Sequence, residues 1–293
     1  MARLTAVLAA LVLVLTGCGG SAADRGEEAL VIGGIPDQDV AVLEERFGGL
    51  ADYLSAELGI PVRYQPSVDY AAVVTAFANG DVQLGWFGGL TGVQARLETP
   101  GARAVAQRPI DTRFRSVFIV RADDPARTIQ DLAGHTFTFG SESSTSGHLM
   151  PRYFLTQAGV DPATDFAGRP GFSGSHDKTW KLVEAGSFQA GALNASVWDR
   201  AVREGQVDTT VVRELERTPP YFDYHWVTHP EIDETYGPGT TDRLVRALLR
   251  MDEAGTEAQR VLRLFEDDEF IRTENGNYDR IEQIARSLGL IRG

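Results

Sequence analysis

Short apolar runs alternate with amphipathic stretches along the first third of the chain. Residues 30–35 form an apolar run typical of a buried strand, and the next stretch repeats apolar residues at helical spacing until Gly59. The same alternation continues and predicts strands at 30–35, 62–65, 82–87 and 102–106, with helices at 40–58, 70–78 and 93–97. Strands that alternate with helices indicate a parallel α/β sheet.

A second α/β series follows a strong strand at 116–121. It predicts strands at 135–139, 166–172, 189–194 and 210–215, with helices at 146–158, 176–185 and 196–203. An aromatic, strand-like run comes next at 221–228, and three amphipathic helical segments complete the tail. The pattern therefore predicts two α/β units that are joined by two extended crossings.

We expect an α/β fold with two lobes joined by two hinge strands, which close on a ligand. The first lobe is predicted to contain residues 29–118 and 224–293, and the second lobe residues 119–223. Ligands of open α/β sheets bind beyond the carboxyl ends of the strands. Four loops at such ends are expected to converge on one cleft, namely 36–39, 87–92, 140–147 and 172–177.

The N-terminus has the pattern of an exported lipoprotein. Arg3 precedes an apolar run at 4–15, which is too short for a mature membrane span. The run ends in Leu-Thr-Gly-Cys, which resembles a bacterial lipobox, and Cys18 is the only cysteine of the chain. We expect residues 1–17 to be a lipoprotein signal peptide, Cys18 to be lipidated and residues 18–28 to form a tether. The alternative is a buried free thiol beside a secretion signal.

Composition and motifs exclude several classes of function. The 293 residues carry a net charge of −13 without a basic block, so nucleic acid is not an expected partner. No G-x-S-x-G elbow occurs, and His225 and His229 do not form a zinc motif because Trp226 lies between them and Pro230 follows. We expect no enzyme activity, no cofactor and no metal.

A polar cluster lies at the predicted junction between a strand and a helix. Ser144, Thr145 and Ser146 supply hydroxyl groups there, and Gly147 lets the backbone approach a ligand closely. The first N–H groups of a helix lack internal partners and carry the positive end of the helix dipole. The cluster therefore predicts either an uncharged anion site or an ordinary serine-rich N-cap, and spacing alone does not separate them.

Four segments resemble one known family over nearly the whole mature length. The chain is similar to the substrate-binding proteins of phosphonate, phosphite and phosphate ABC importers, which have a type II-like periplasmic-binding-protein fold. The segments that carry the resemblance are Trp-Phe-Gly-Gly-Leu at 86–90, Ser-Thr-Ser-Gly at 144–147, Ser-Gly-Ser-His-Asp at 173–177, and Ala-Leu-Asn at 192–194 before Val-Trp-Asp. Within the family, the chain looks most like a branch named for selenate binding.

The resemblance implies a set of ligand-binding residues. The Ser144–Thr145–Ser146 turn and His176 would donate hydrogen bonds to an oxyanion, and Asp177 follows that histidine. Phe87 and Gly88 replace the usual Tyr-Gly pair that lines the site, so a phenol hydroxyl is lost. Asp37 in the first cleft loop would accept a hydrogen bond from a protonated oxyanion or simply cap a helix.

Asn194 stands where aminoalkylphosphonate binders often place an acid. Because an amide does not neutralise an ammonium group, this position favours a small inorganic oxyanion. We therefore expect a monomeric, lipid-anchored solute-binding protein on the outer face of the cytoplasmic membrane. It would deliver phosphite, phosphonate, phosphate or selenate to the permease and ATPase subunits of an ABC importer. The alternative is a sensor module for a membrane signalling partner.

Overall fold

Two separate β-sheets form the framework of the protein. The computed structural model describes residues 29–291. We call the part built on the six-stranded sheet the first lobe and the part built on the five-stranded sheet the second lobe. The strands are β1 (Leu30–Gly34), β2 (Val62–Gln65), β3 (Leu84–Phe87), β4 (Arg103–Gln107), β5 (Ser116–Arg121), β6 (Phe137–Phe139), β7 (Gly171–Phe172), β8 (Ala190–Asn194), β9 (Val212–Arg217), β10 (His225–Thr228) and β11 (Ile271–Arg272).

Ten α-helices cover the two sheets within the described residues. They are α1 (Val40–Leu58), α2 (Tyr70–Ala78), α3 (Gly89–Glu98), α4 (Met150–Gln157), α5 (His176–Glu184), α6 (Ala195–Arg203), α7 (Ile232–Tyr236), α8 (Thr240–Leu249), α9 (Thr256–Leu264) and α10 (Asp279–Ser287). The Asp39 and Asp69 side chains cap α1 and α2, and Gly59 ends α1 in the left-handed conformation. No helix in the span 29–291 is both long and apolar enough to cross a membrane.

The sheets are mixed, whereas the alternation of elements predicted parallel ones. The first sheet has the order β11-β4-β10-β3-β1-β2, and β10 pairs antiparallel with both β3 and β4. The second has the order β7-β6-β8-β5-β9, and β5 pairs antiparallel with β8 and β9. β5 and β10 are the strands that follow each passage between the lobes, so they enter their sheets from the opposite end.

Three predicted elements differ in extent. The strand predicted at 166–172 is reduced to Gly171–Phe172, and the run at 221–228 pairs as a strand only at His225–Thr228. The predicted helical tail also contains the short strand Ile271–Arg272, which pairs with β4. The last strand is too short to leave a periodic signal in the sequence.

An aromatic cluster fills the core of the first lobe. Trp86 and Trp226 pack at a ring separation of 5.0 Å, and both contact Phe265 and Phe270. Trp180, Trp198 and Trp226 are all buried. The tryptophans of β3 and β10 therefore fix these two strands, and residues next to the strand ends form the candidate site.

The two passages between the lobes run side by side. Phe114 and Tyr221 form an antiparallel bridge there, and the Ser116 and Tyr221 hydroxyls lie 2.6 Å apart. The predicted lobe limits, at 118/119 and 223/224, stay predictions. The signal peptide, Cys18 and the tether lie outside the described residues.

Candidate ligand-binding site

The serine-rich turn begins a helix in the second lobe, at the end of β6. Its residues Thr145–Leu149 form a π-helical turn that continues into α4. The Ser144 hydroxyl caps the turn by accepting a 2.9 Å hydrogen bond from the Gly147 N–H group. Ser144, Thr145 and Ser146 are all buried. The N-cap that the sequence offered as one alternative is therefore present, and the anion site stays a prediction.

Close packing fixes this turn against His176. A Cβ at Gly147 would lie 3.0 Å from the Ser144 hydroxyl, 3.1 Å from the Gly140 backbone and 3.1 Å from the His176 ring. The glycine is needed for space, because its φ is not in the left-handed range.

His176 is held in one tautomer at the first residue of α5. Its Nδ1 accepts a 3.3 Å hydrogen bond from the Asn194 backbone N–H, so the ring proton lies on Nε2. Nε2 is 3.3 Å from the Tyr224 hydroxyl. Burial lowers the pKa of His176. The ring is therefore neutral, and its Nε2 proton lies beside the Tyr224 hydroxyl.

Tyr224 joins the histidine to the first cleft loop. Its hydroxyl donates a 2.8 Å hydrogen bond to Asp37 Oδ2 and accepts one from the Asn194 side-chain amide at 3.3 Å. Burial raises the pKa of Tyr224 well above its usual value, so the phenol keeps its proton. Arg46 balances the charge of Asp37 from behind, with 4.0 Å between its Nη1 and Asp37 Oδ1.

Asp223 is a second buried carboxyl group at the same place. It accepts a 2.9 Å hydrogen bond from the Gly89 N–H group at the start of α3. Burial raises the pKa of Asp223 to about 7, although the Gly89 N–H and the nearby Thr145 hydroxyl act in the opposite direction. This carboxyl group consequently exchanges its proton near neutral pH.

Two backbone N–H groups also donate hydrogen bonds between the lobes across the site. The His176 N–H donates to the Asp37 carbonyl oxygen at 3.0 Å, and the Leu90 N–H donates to Thr145 Oγ1 at 2.9 Å. The first bond connects a loop of the first lobe with the start of α5, and the second connects α3 with the turn before α4. The structure is therefore in a closed arrangement.

Three buried polar atoms in this cluster lack a hydrogen-bond partner. They are Asp37 Oδ1, Asp223 Oδ2 and the Tyr70 hydroxyl, which lies beside Ser144 without hydrogen-bond geometry to it. Unsatisfied buried groups of this kind are costly, and native proteins rarely keep several together unless a ligand or water satisfies them. The site thus presents two carboxyl oxygens and one hydroxyl group to a small polar molecule.

Two residues predicted for the site contact other regions. The Phe87 ring packs edge-on against Phe77 in the core, at 5.5 Å. The Asp177 carboxylate accepts hydrogen bonds from Ser175 and Lys181 at the start of α5. By contrast, Ser144, Thr145, His176, Asp37, Gly88 and Asn194 come together.

Sequence analysis missed Tyr70, Asp223 and Tyr224. Tyr70 begins a helix that was interpreted only as core, and the other two lie in a segment that was interpreted only as an aromatic strand. Arg108 also lies beside this cluster. It is buried, forms an ion pair with Asp111 and lies 5.1 Å from the centre of the Tyr224 ring.

Two hinged lobes that enclose a small polar site define the class of two-lobed solute-binding proteins. The chain belongs to the family of periplasmic substrate-binding proteins of phosphonate ABC transporters, whose sequence model matches residues 32–278. It is therefore an extracytoplasmic substrate-binding protein and not an enzyme.

Relatives of known identity cover most of the chain. A probable ABC transporter phosphite binding protein, PhnD1 of Prochlorococcus marinus strain MIT 9301, is 42% identical over 271 residues, which is 90% of this chain and 91% of the relative. The structure of PhnD1 in complex with methylphosphonate aligns with a TM-score of 0.87 over 90% of this chain and 99% of that chain. The phosphate-import protein PhnD of Mycolicibacterium smegmatis is 27% identical over 216 residues, 68% of this chain and 67% of that protein.

Proposed function

We propose that the protein captures a small phosphorus oxyanion of the phosphite or methylphosphonate type and delivers it to an ABC permease. The observation that carries this proposal is the buried cluster between the lobes that contains the Ser144 turn, His176 and Asp37, whose Oδ1 has no hydrogen-bond partner. Helix N–H groups and hydroxyls of the Ser144–Thr145–Ser146 turn, with the His176 ring, would donate to the anionic oxygens. PhnD1 is named a probable phosphite binding protein, and its structure is a complex with methylphosphonate. Both facts support the same ligand class.

Asp37 would select the protonation state of the ligand. A carboxylate accepts hydrogen bonds and repels a second negative charge, so it favours an anion that still carries a proton. Phosphite, methylphosphonate and phosphate keep such a proton near neutral pH, whereas selenate and sulfate do not. The site therefore favours phosphorus oxyanions over the selenate suggested by the sequence branch.

The hydrogen bonds of Asn194 leave it no free group for the ammonium of an aminoalkyl ligand. The Asn194 oxygen caps α6 by accepting from the Ser196 and Val197 N–H groups, and its amide nitrogen donates to Tyr224. With both ends engaged, Asn194 offers nothing to the ammonium group of an aminoalkyl tail. Aminoethylphosphonate should bind more weakly than methylphosphonate.

The first test is calorimetric titration of the purified protein with phosphite, methylphosphonate, phosphate, aminoethylphosphonate, selenate and sulfate. We expect binding of phosphite or methylphosphonate, weakened about tenfold or more by Ser144→Ala and by His176→Ala, because each removes a hydrogen bond to a charged ligand. Asp177→Asn serves as the matched control and should change little. Preferred binding of selenate would contradict the role of Asp37, and binding of none of these anions would contradict the proposed function.

Cys18 is proposed to anchor the protein in the membrane through a lipid. Export of the chain with Cys18→Ser should release it from the membrane fraction, whereas the unchanged chain should stay there. The measurement is the distribution of the protein between membrane and soluble fractions after cell breakage. Equal distribution of both forms would contradict lipidation at this position.

A further inference from the structure

Glu266 has an unusual backbone conformation just beyond the end of α9. Its φ is 64°, and it is the only non-glycine residue with a positive φ among residues 29–291. This conformation costs free energy for any residue with a Cβ, and such outliers are frequent at functional positions. A glycine would adopt this conformation without the cost. The presence of glutamate therefore indicates that its side chain has a role.

Two buried arginines donate hydrogen bonds to the backbone just before Glu266. Arg46 Nε donates to the Leu264 carbonyl oxygen at 2.7 Å, and Arg108 Nη1 donates to the Phe265 carbonyl oxygen at 2.6 Å. The same arginines back the ligand site, Arg46 behind Asp37 and Arg108 against Tyr224. The two arginines therefore connect the turn after α9 with the part of the site that belongs to the first lobe.

The Glu266 carboxylate reaches across to the second lobe. It accepts from Nη1 of Arg200 on α6, and Arg200 Nη2 donates to the Gln38 side chain. The side chains of Arg200 and Glu266 are 22% and 14% exposed. The pair lies beside a groove of about 800 Å³ between the lobes, outside the buried cluster that would hold the ligand.

We infer that Arg200 and Glu266 form a latch that holds the lobes closed and sets how fast the ligand leaves. They are positioning residues, since neither belongs to the cluster around Asp37 and His176. Opening of the lobes must break the Arg200 contacts to Glu266 and Gln38, whereas encounter with the ligand occurs in the open form. The latch therefore acts on the dissociation rate, and this kinetic part rests on the proposed function.

The test compares Arg200→Ala, Arg200→Lys, Glu266→Gly and the unchanged protein. Arg260→Ala is the matched control, because Arg260 pairs with Glu45 and Glu257 within the first lobe only. Stopped-flow kinetics with methylphosphonate and phosphite should show a dissociation rate about two- to fivefold faster in Arg200→Ala and Glu266→Gly, with an unchanged association rate. Arg200→Lys should restore part of the difference. Raising the salt concentration should speed dissociation of the unchanged protein but not of Arg200→Ala.

A second measurement needs no ligand. Hydrogen exchange of the His176 and Leu90 amides reports closure, because both N–H groups donate across the lobes. We expect faster exchange in Arg200→Ala and Glu266→Gly and no change in Arg260→Ala. Glu266→Gly should also melt no lower than the unchanged protein, since glycine relieves the positive φ.

Different failures of this experiment have different meanings. Exchange and dissociation that stay unchanged in both latch variants, or that change equally in Arg260→Ala, would overturn the latch. If neither anion binds the unchanged protein, the proposed function fails, and the amide exchange still decides whether the latch exists.

Discussion

Gly88→Val should reduce affinity for the ligand by about a hundredfold or more. Gly88 lies at the start of α3 with an ordinary φ of −73°, so the backbone does not require glycine. A Cβ there would lie 3.0 Å from Thr145 Oγ1 of the second lobe and 3.2 Å from Asp223 Oδ1. The two valine methyl groups would reach further into this space and hold the lobes apart. The expected loss is large because donors placed even 1 Å away no longer act together.

The measurement is calorimetry with methylphosphonate and phosphite, beside thermal melting of the free protein. Because the contact with Thr145 is relieved when the lobes open, we expect the melting temperature to fall far less than the affinity. Gly48→Ala is the matched control, since a Cβ at Gly48 contacts nothing within 4 Å. Affinity that survives Gly88→Val would show that the ligand is held without close approach of Gly88 and Thr145.

Asp223→Asn should stabilise the ligand-free protein at pH 8 by on the order of 2–4 kcal/mol and change it little at pH 4.5. Burial raises the pKa of Asp223 to about 7 in the folded protein. An aspartate of the unfolded chain loses its proton near pH 4. Between these two values the folded state binds the extra proton, so the wild-type carboxyl group makes folding less favourable as the pH rises from about 4 to 7. Asparagine keeps an oxygen acceptor for the Gly89 N–H and has no proton to lose.

Urea unfolding at both pH values measures this difference. Asp81→Asn is the control, because Asp81 is an exposed acid of the same lobe. We expect the difference between Asp223→Asn and the unchanged protein to grow with pH and the difference for Asp81→Asn to stay flat. A gain that is equal at both pH values would mean that Asp223 is already ionised at low pH in the folded state.

Local signals predicted most of the secondary structure because they are local in origin. Helix α1 has an apolar face, an aspartate N-cap and a glycine end, all within one stretch of sequence. The Ser144–Gly147 turn was found for the same reason, since an N-cap and a glycine at a strand end need no distant partner. The family resemblance then added His176 and Asn194, which spacing alone would not distinguish from surface residues.

Tertiary structure decided what those signals left open. Tyr224 and Asp223 enter the site because the chain returns from the second lobe and places β10 antiparallel between β3 and β4. A period-two pattern records which face of a strand is buried, but it records neither strand order nor direction.

The sequence by itself determined the α/β elements, the two-lobed class and the serine-rich turn, because each rests on residues close together in the chain or on a family pattern. The packing of the lobes decided the rest. The pairing of Arg200 with Glu266 joins residues 66 positions apart, and the Tyr224–Asp37 bond joins residues 187 positions apart. The first contact depends on closure of the hinge and the second on the place of β10 in the first sheet, and no local pattern encodes either. The contacts that surround the predicted acceptor Asp37 therefore form only in the folded chain.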